Sequence, residues 1–331
     1  MSTPSRGSAV HSGPVVAFLV RRGVQMLLSL WAALTLIFVA VTQLPGDPVR
    51  ALFGFTPPPP EVYAAIRAQF HLDEPLLVQY LLYLGDVVTG DLGRAFPLDP
   101  YGDAGAGPLV SETVLATAPV SAVIVLGALL VQSVVGVVAG ALATSGRQLG
   151  AGVYAISLLL VSTPVLVAAY LLRTVFGVEL GWFPVSGAAG GPLTYVLPVL
   201  ALAALSTGYV ALLTRAELTE TLASPFVHTA RARGLRNRRV VAVHALRPAL
   251  IPVVTFVAAN VSQLFVGLLV VEGVFGMPGL GGTLFEAIHD RDRSLLIGLV
   301  TVVMATVIVA NAVADVAAAA LDPRLTTGAT A

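Results

Sequence analysis

The sequence predicts an all-α polytopic membrane protein. Three observations carry that expectation. Apolar residues make up 56% of the 331 and charged residues only 11%, against roughly 25% charged in an ordinary soluble domain. Mean hydropathy is +0.89. The acids and arginines are spaced so that six stretches carry no charge, each about long enough to cross a bilayer. This balance excludes a disordered chain and an ordinary cytosolic enzyme. A net charge of zero gives no general pull on nucleic acid, so no nucleic-acid partner is expected. Cysteine is absent, which removes disulfides and thiolate metal sites.

The charge-free stretches are 23–46, 113–146, 148–172, 180–214, 248–271 and 294–314. Trimmed for turns, they predict six transmembrane helices near 18–44, 113–143, 152–176, 193–214, 248–271 and 295–320. The first apolar run is too long for the core of a cleaved signal peptide, about 7–15 residues. It is expected to stay as the first span, behind a polar tail at 1–17. The helices from the second onward form one transmembrane unit, 108–320, followed by a tail at 321–331.

Orientation follows from arginine, which supplies all 18 basic residues. With the N-terminus inside, 12 of the 18 fall on the cytoplasmic side, so the positive-inside rule places both termini in the cytoplasm.

Two loops are too long to be connectors. The first, external, covers 45–112. It opens with Leu44-Pro45-Gly46-Asp47-Pro48, a turn cluster that stops the first helix. After a proline run, residues 61–88 read as one or two amphipathic helices broken at Pro75, with Leu76, Leu77, Tyr80, Leu81 and Leu84 at helical spacing. Such a segment can be a lid on the membrane domain, a docking surface for an external partner, or both.

The second, cytoplasmic, is 215–247, with seven arginines and two glutamates. Ser224 and Pro225 look like an N-cap and a first-turn proline, and Gly234 like a stop. The helix between them, 225–233, is too short to persist alone. Phe226, Val227 and Ala230 give it an apolar contact face, which favours a protein surface; in the rival reading the arginines rest the loop on anionic lipid head groups. Asn237 is expected to cap a second helix that runs toward Leu246.

Several chemistries are missing. A P-loop needs a lysine, and the chain has none. Proton-coupled carriers place ionisable groups deep in their spans; here Arg173, Glu272 and Asp315 lie near span ends, where interfacial or helix-end roles suffice. His11, His71, His228, His244 and His289 have no ligand spacing. The chain reads as a conduit whose energy comes from elsewhere.

At the second loop the sequence becomes specific. Phe226-Val227-His228-Thr229-Ala230-Arg231-Ala232-Arg233-Gly234-Leu235, followed by His244-Ala245-Leu246-Arg247-Pro248-Ala249-Leu250-Ile251-Pro252, resembles the EAA loop of bacterial ABC importer permeases, peptide/nickel branch, dipeptide and oligopeptide permease B type. That branch reads tyrosine, arginine and lysine where this chain has Phe226, His228 and Arg233; the glycine and the apolar face are kept. Further matches follow in order. They include Arg21-Arg22 with the turn cluster after the first span, and Pro75 to Tyr80 with Gly90-Asp91-Leu92-Gly93-Arg94. Gly181-Trp182-Phe183-Pro184-Val185-Ser186-Gly187, Val271-Glu272-Gly273-Val274-Phe275 with Pro278-Gly279-Leu280-Gly281, and Asp322-Pro323-Arg324 complete the series. The resemblance spans about 18–325. An alanine-glycine stretch at 104–107 has no counterpart in it.

The resemblance implies the ABC type I importer fold in a bacterial cytoplasmic membrane. It implies a second homologous permease, two ATP-binding subunits or one fused ATPase, and an external binding protein that delivers di- or oligopeptides. ATP would be bound by the partners, so this chain needs no cofactor of its own and carries no ATPase site. Residues 225–234 would be the coupling helix, with Phe226, Val227, Thr229 and Ala230 toward the ATPase groove. Arg231 and Arg233 would pair with acids at its edge, and Gly234 would provide the exit bend. Nickel chelates or another small solute are the alternative cargo. A secondary transporter is the rival class; it would need embedded ionisable groups and repeats.

Overall fold

The structure, a computed structural model, describes residues 13–43, 46–53, 56–97, 107–187 and 190–321. Residues 1–12 and 322–331 of the expected tails, with Asp322-Pro323-Arg324, the turn residues Leu44 and Pro45, and most of the 104–107 stretch lie outside the described residues; residues 13–17, expected as tail, are instead the first turns of α1. The described residues are helical, with a single isolated bridge, Arg94 to Leu109, and no strand.

Helix α1 (Gly13–Thr42) is followed by three short helices: α2 (Pro48–Leu52), α3 (Pro60–Gln69) and α4 (Leu76–Thr89). Asp47 starts α2 by accepting the Val49 and Arg50 N–H groups. Val49, Phe53 and Ile66 close a small core between α2 and α3. The expected break at Pro75 falls just before α4, and Gly90, at φ +77°, ends it. Helix α5 (Val110–Leu142) then runs the length of the bundle.

The third expected span is not straight. It comprises α6 (Arg147–Ser162) and α7 (Val165–Leu172), the latter continuing into a π-helical stretch, Arg173–Glu179. Its two halves are bent by 108°. The cause is Pro164, which has no N–H to give and holds Thr163 extended, at ψ 115°. Helix α8 (Val196–Leu222) overruns the expected 193–214. Then come α9 (Pro225–Ala232), the single turn α10 (Asn237–Arg239), a π-helical turn (Val240–Ala245) and α11 (Leu246–Ala259). The fifth expected span, 248–271, is broken at Asn260, where α11 gives way to α12 (Val261–Phe275). Helix α13 (Leu280–His289) leaves α12 at 70°, and α14 (Arg293–Leu321) ends the described chain. Among the described residues, five helices can cross a membrane alone by length and composition, and the two bent pairs bring the number to as many as seven, against the six expected.

Helices α5 and α8 form the central pair. They approach closely because α5 turns Gly136 and Gly140, a small-residue pair four apart, toward α8. A Cβ on Gly140 would lie 2.5 Å from the Ala211 carbonyl oxygen, and one on Gly136 2.6 Å from Val210. On its other side, α8 offers Gly208 to α6, where a Cβ would lie 2.7 Å from the Ser157 carbonyl oxygen. Ile124, Ala128, Ala201, Leu264, Leu268 and Phe275 fill the core where α5, α8 and α12 meet. A second cluster, with Val41, Leu280, Ala287 and Leu299, ties α1 and α13 to α14.

Helix ends inside this apolar body need partners. Glu272 supplies them for α13: it accepts the Gly281 N–H at 2.6 Å, the Gly282 N–H at 3.1 Å and the Ser121 hydroxyl at 2.6 Å. Arg173 donates to the Val274 carbonyl, in the last turn of α12, at 2.7 Å. Both therefore serve as helix-end residues. The Asp315 side chain lies outside the described part. Asp292 accepts the Leu295 N–H at the start of α14 and reaches back to the Phe96 N–H at 2.8 Å.

Candidate functional site

The short helix α9 sits under one end of the bundle, between the end of α8 and the start of α11. Its Val227 is completely buried among Leu218, Val240, Ala245 and Ala249, with Ala230 and Leu235 at the edge. Phe226 is not part of that contact: 51% of it is exposed. The expected apolar face is thus divided. Val227 and Ala230 hold the helix to its own chain, and Phe226 looks outward. The Thr229 hydroxyl donates to the Pro225 carbonyl at 3.0 Å, within the helix, and Arg231 and Arg233 are exposed.

The caps differ from expectation. Ser224 holds the N-cap position, but its hydroxyl donates to the Thr221 carbonyl at 2.6 Å and does not satisfy the α9 N–H groups. Proline at the first helical position needs no donor partner, which leaves less for a capping oxygen to do. The helix ends at Ala232, one residue early; Gly234, at φ +75°, makes the exit turn with open space around it. Asn237 is the first residue of α10 and not its cap. Arg231, Arg233, Arg236, Arg238 and Arg239 are all exposed, and none forms an ion pair among the described residues.

At the opposite end of the bundle, α4 contradicts the expected stripe. Tyr80 packs inward, together with Tyr83, but Leu76, Leu77 and Leu81 face outward, and Leu84 is half-buried. The tyrosines, with their hydroxyls, can satisfy polar groups of α1 and α14 that leucine cannot. A cavity of about 390 Å³ remains between α4 and α14, bordered by Phe38, Tyr83, Asp86, Arg293 and Thr301.

One set of residues escaped the charge-based reading. Midway along the bundle, Asn260 donates through Nδ2 to Gln132 Oε1 of α5 at 3.2 Å and to Ser206 Oγ of α8 at 2.8 Å. Gln132 Nε2 and the Thr207 hydroxyl beside them are buried without a partner among the described residues. Ser262 and Asn311 form a second polar link, between α12 and α14. The available signal was uncharged amides inside charge-free stretches, which a search for Asp, Glu and Arg passes over. Among the described residues, no three of His, Asp or Glu converge where a metal ion could be held.

The fold and this site define a class: a multi-pass membrane subunit that carries a short helix docked beneath its bundle with one aromatic and a set of arginines left outward. A family model described as binding-protein-dependent transport system inner membrane component matches residues 132–327, and the N-terminal model of the same systems matches 15–104. The chain belongs to this family of transport-system membrane components. It is 34% identical to the oligopeptide transport system permease protein OppB of Haemophilus influenzae, over 94% of this chain and 99% of that one. The OppB of Salmonella typhimurium matches at the same identity and coverage. The dipeptide transport system permease protein DppB of Bacillus subtilis is 30% identical over 93% of this chain and 97% of its own length.

Proposed function

We propose that the chain is one of two permeases in an ATP-driven importer that takes di- or oligopeptides from an external binding protein, and that α9 is its coupling helix. The observation that carries this reading is the division of α9. Val227 fixes the helix to its own bundle, so a push on α9 reaches α8 and α11, while Phe226, Arg231 and Arg233 remain free for an ATPase subunit. The names of the relatives support the peptide cargo. Both termini lie in the cytoplasm, and six spans lie within 18–320, the third of them bent between α6 and α7. The partners are a second permease, two ATPase subunits or a fused pair, and the binding protein.

The test is a reconstituted complex in vesicles. Loaded binding protein should stimulate ATP hydrolysis, and labelled peptide should enter only with ATP. The purified chain alone should hydrolyse nothing above a denatured control. Uptake that survives loss of the ATPase but collapses with an uncoupler would replace this reading by a secondary transporter. A reporter fused after Thr214 should score cytoplasmic, and one within 57–107 external.

A further inference from the structure

Helix α4 has the composition of a buried element and the exposure of a surface one. Asp86 is its only charged residue. Its inward side carries Tyr80 and Tyr83. The Tyr80 and Thr35 hydroxyls are 2.6 Å apart, and those of Tyr83 and Thr301 2.8 Å apart. The two tyrosine rings lie 5.3 and 5.7 Å from that of Phe38. Its outward side carries Leu77, 68% exposed, Leu81, 59%, and Val88, 87%, with Leu76, Val78 and Leu82 beside them. A soluble surface rarely shows such a patch unless something covers it.

The level at which α4 is held identifies the cover. Thr35 lies about 10 Å along α1 from its end at Thr42, and Thr301 about 12 Å into α14 from its start at Arg293, at 1.5 Å per residue. Two different spans thus place the tyrosine side of α4 at one depth, within the apolar part of both helices. Next to it α1, itself long and apolar enough to cross a membrane, exposes Trp31, Leu36 and Val39, and the leucines of α4 continue that apolar surface. Arg293, at the head of α14, has its guanidinium 5.7 Å from the Phe38 ring centroid and donates to Gln79 at 3.2 Å, near the start of α4. After α4, Gly90 and Gly93, at φ +77° and +73°, reverse the chain. The Gly93 carbonyl then accepts the Val110 N–H at the head of α5. The segment therefore enters and leaves on the same side.

We infer that α4 is a re-entrant helix sunk in the lipid leaflet, with acyl chains as the partner of Leu77, Leu81 and Val88. The word outer, for that leaflet, rests on the orientation proposed above. Of the described helices between α1 and α5, only α2 and α3 then face water and an incoming protein.

The test places the chain's only tryptophan at Leu77→Trp or Leu81→Trp, with Trp31 and Trp182 changed to Phe, in the full importer in phosphatidylcholine vesicles, and reads the difference from the same importer whose chain has no tryptophan. Brominated acyl chains should quench these positions at least twofold more than a Glu61→Trp control on α3. Saturating binding protein should leave the quenching unchanged. Leu81→Cys, a smaller change in a chain with no cysteine of its own, should resist a water-soluble maleimide that labels Glu61→Cys fully. Quenching no greater than the control, or full maleimide labelling that binding protein blocks, would overturn the inference in favour of a protein-docking face. An inverted orientation would instead hide Glu61→Cys from reagent added outside while the bromolipid result persists. Failure of the importer with the unaltered chain to take up peptide with ATP would count against the transport reading alone.

Discussion

Ser121 donates to Glu272 Oε1 at 2.6 Å and with the same oxygen accepts the Leu280 N–H at 2.8 Å. One hydroxyl thus ties α5, the end of α12 and the start of α13 into a single knot, with no water needed. Gly279 makes room for it: a Cβ there would lie 2.2 Å from the Glu272 carboxylate.

Removing the carboxylate should loosen that knot. Glu272→Leu leaves the Gly281 and Gly282 N–H groups and the Ser121 hydroxyl without an acceptor. At about 1–3 kcal/mol per buried unsatisfied group, a loss of roughly 3 kcal/mol or more follows. Glu272→Gln keeps one acceptor and should fall between. Thermal midpoints of the purified chain in detergent measure this, and three equal midpoints would show that Glu272 does not hold α13.

Phe226 and Val227 should separate binding from folding. An aromatic anchor at a protein interface commonly contributes about 2–4 kcal/mol, so Phe226→Ala should weaken ATPase association by roughly 30- to 1,000-fold at about 1.4 kcal/mol per decade. Insertion and pairing with the second permease should survive. Val227→Ala removes two methyl groups from a closed pocket, about 2 kcal/mol at ~0.8 per carbon plus a cavity cost. It should unseat α9 and lower the thermal midpoint. Wild-type recovery of the ATPase with Phe226→Ala after a stringent wash would defeat the coupling assignment.

Gly234 tests the exit turn by backbone conformation alone, since nothing lies within 4 Å of where a Cβ would stand. Gly234→Val should be penalised because a β-branched residue avoids positive φ, while Gly234→Asn should be tolerated. The expected readout is ATP hydrolysis that loaded binding protein no longer stimulates in the valine variant and still stimulates in the asparagine variant. Equal behaviour would mean that the turn need not be left-handed.

The close seam between α5 and α8 should reject a single methyl group. Gly140→Ala drives a Cβ to 2.5 Å from Ala211 backbone oxygen and should lower the yield of folded protein sharply. Gly152→Ala, in α6 with nothing within 4 Å, should instead be neutral or stabilising by about 0.4–1 kcal/mol. Fluorescence-detected size-exclusion profiles compare the two directly.

Asp47 makes the α2–α3 unit sensitive to acid. Burial alone would raise its pKa, but the Tyr63 hydroxyl and the Arg50 and Val49 N–H groups outweigh it, with the charge of Arg67 adding to them. The carboxyl is held below its usual 3.8. A depressed folded pKa contributes stability that is whole above the unfolded value and is lost as pH falls through the folded one. Amide exchange at Val49 and Arg50, corrected for intrinsic rates, should therefore stay slow near neutrality and accelerate only in strong acid. Tyr63→Phe removes a donor and should move that acceleration to higher pH; no movement would count against the hydrogen bond.

What the sequence made legible was the part governed by composition. The spans follow from where Arg, Asp and Glu are not, and the stops at Pro75 and Gly234 follow from their backbone chemistry. What stayed hidden depends on neighbours brought together only by folding. Pro164 signals a bend, but its direction is set by the packing of α6 and α7 on α8. Asn260 carries no charge, so a break in the fifth span was invisible until Gln132 and Ser206 stood beside it. Helical spacing grouped Leu76, Leu77 and Leu81 with Tyr80, yet the hydroxyls of Thr35 and Thr301 select the tyrosines for the inner side. On α9, Phe226 and Val227 are adjacent in sequence and 100° apart around the helix, so one cannot serve the contact of the other.

The glycine seam has a mechanical consequence. Where backbone rests on backbone there is no side-chain slack to absorb displacement, so α5 and α8 bear load as one beam. Asn260 grips both members, at Gln132 and Ser206. About 24 Å of α8 lies on the α9 side of Ser206 and about 15 Å on the other, at 1.5 Å per residue. Were that point held fixed, a rigid beam would turn a shift of about 3 Å under α9 into one of about 2 Å, in the opposite direction, at Val196. The gear ratio of the subunit is then a matter of residue counting along one helix.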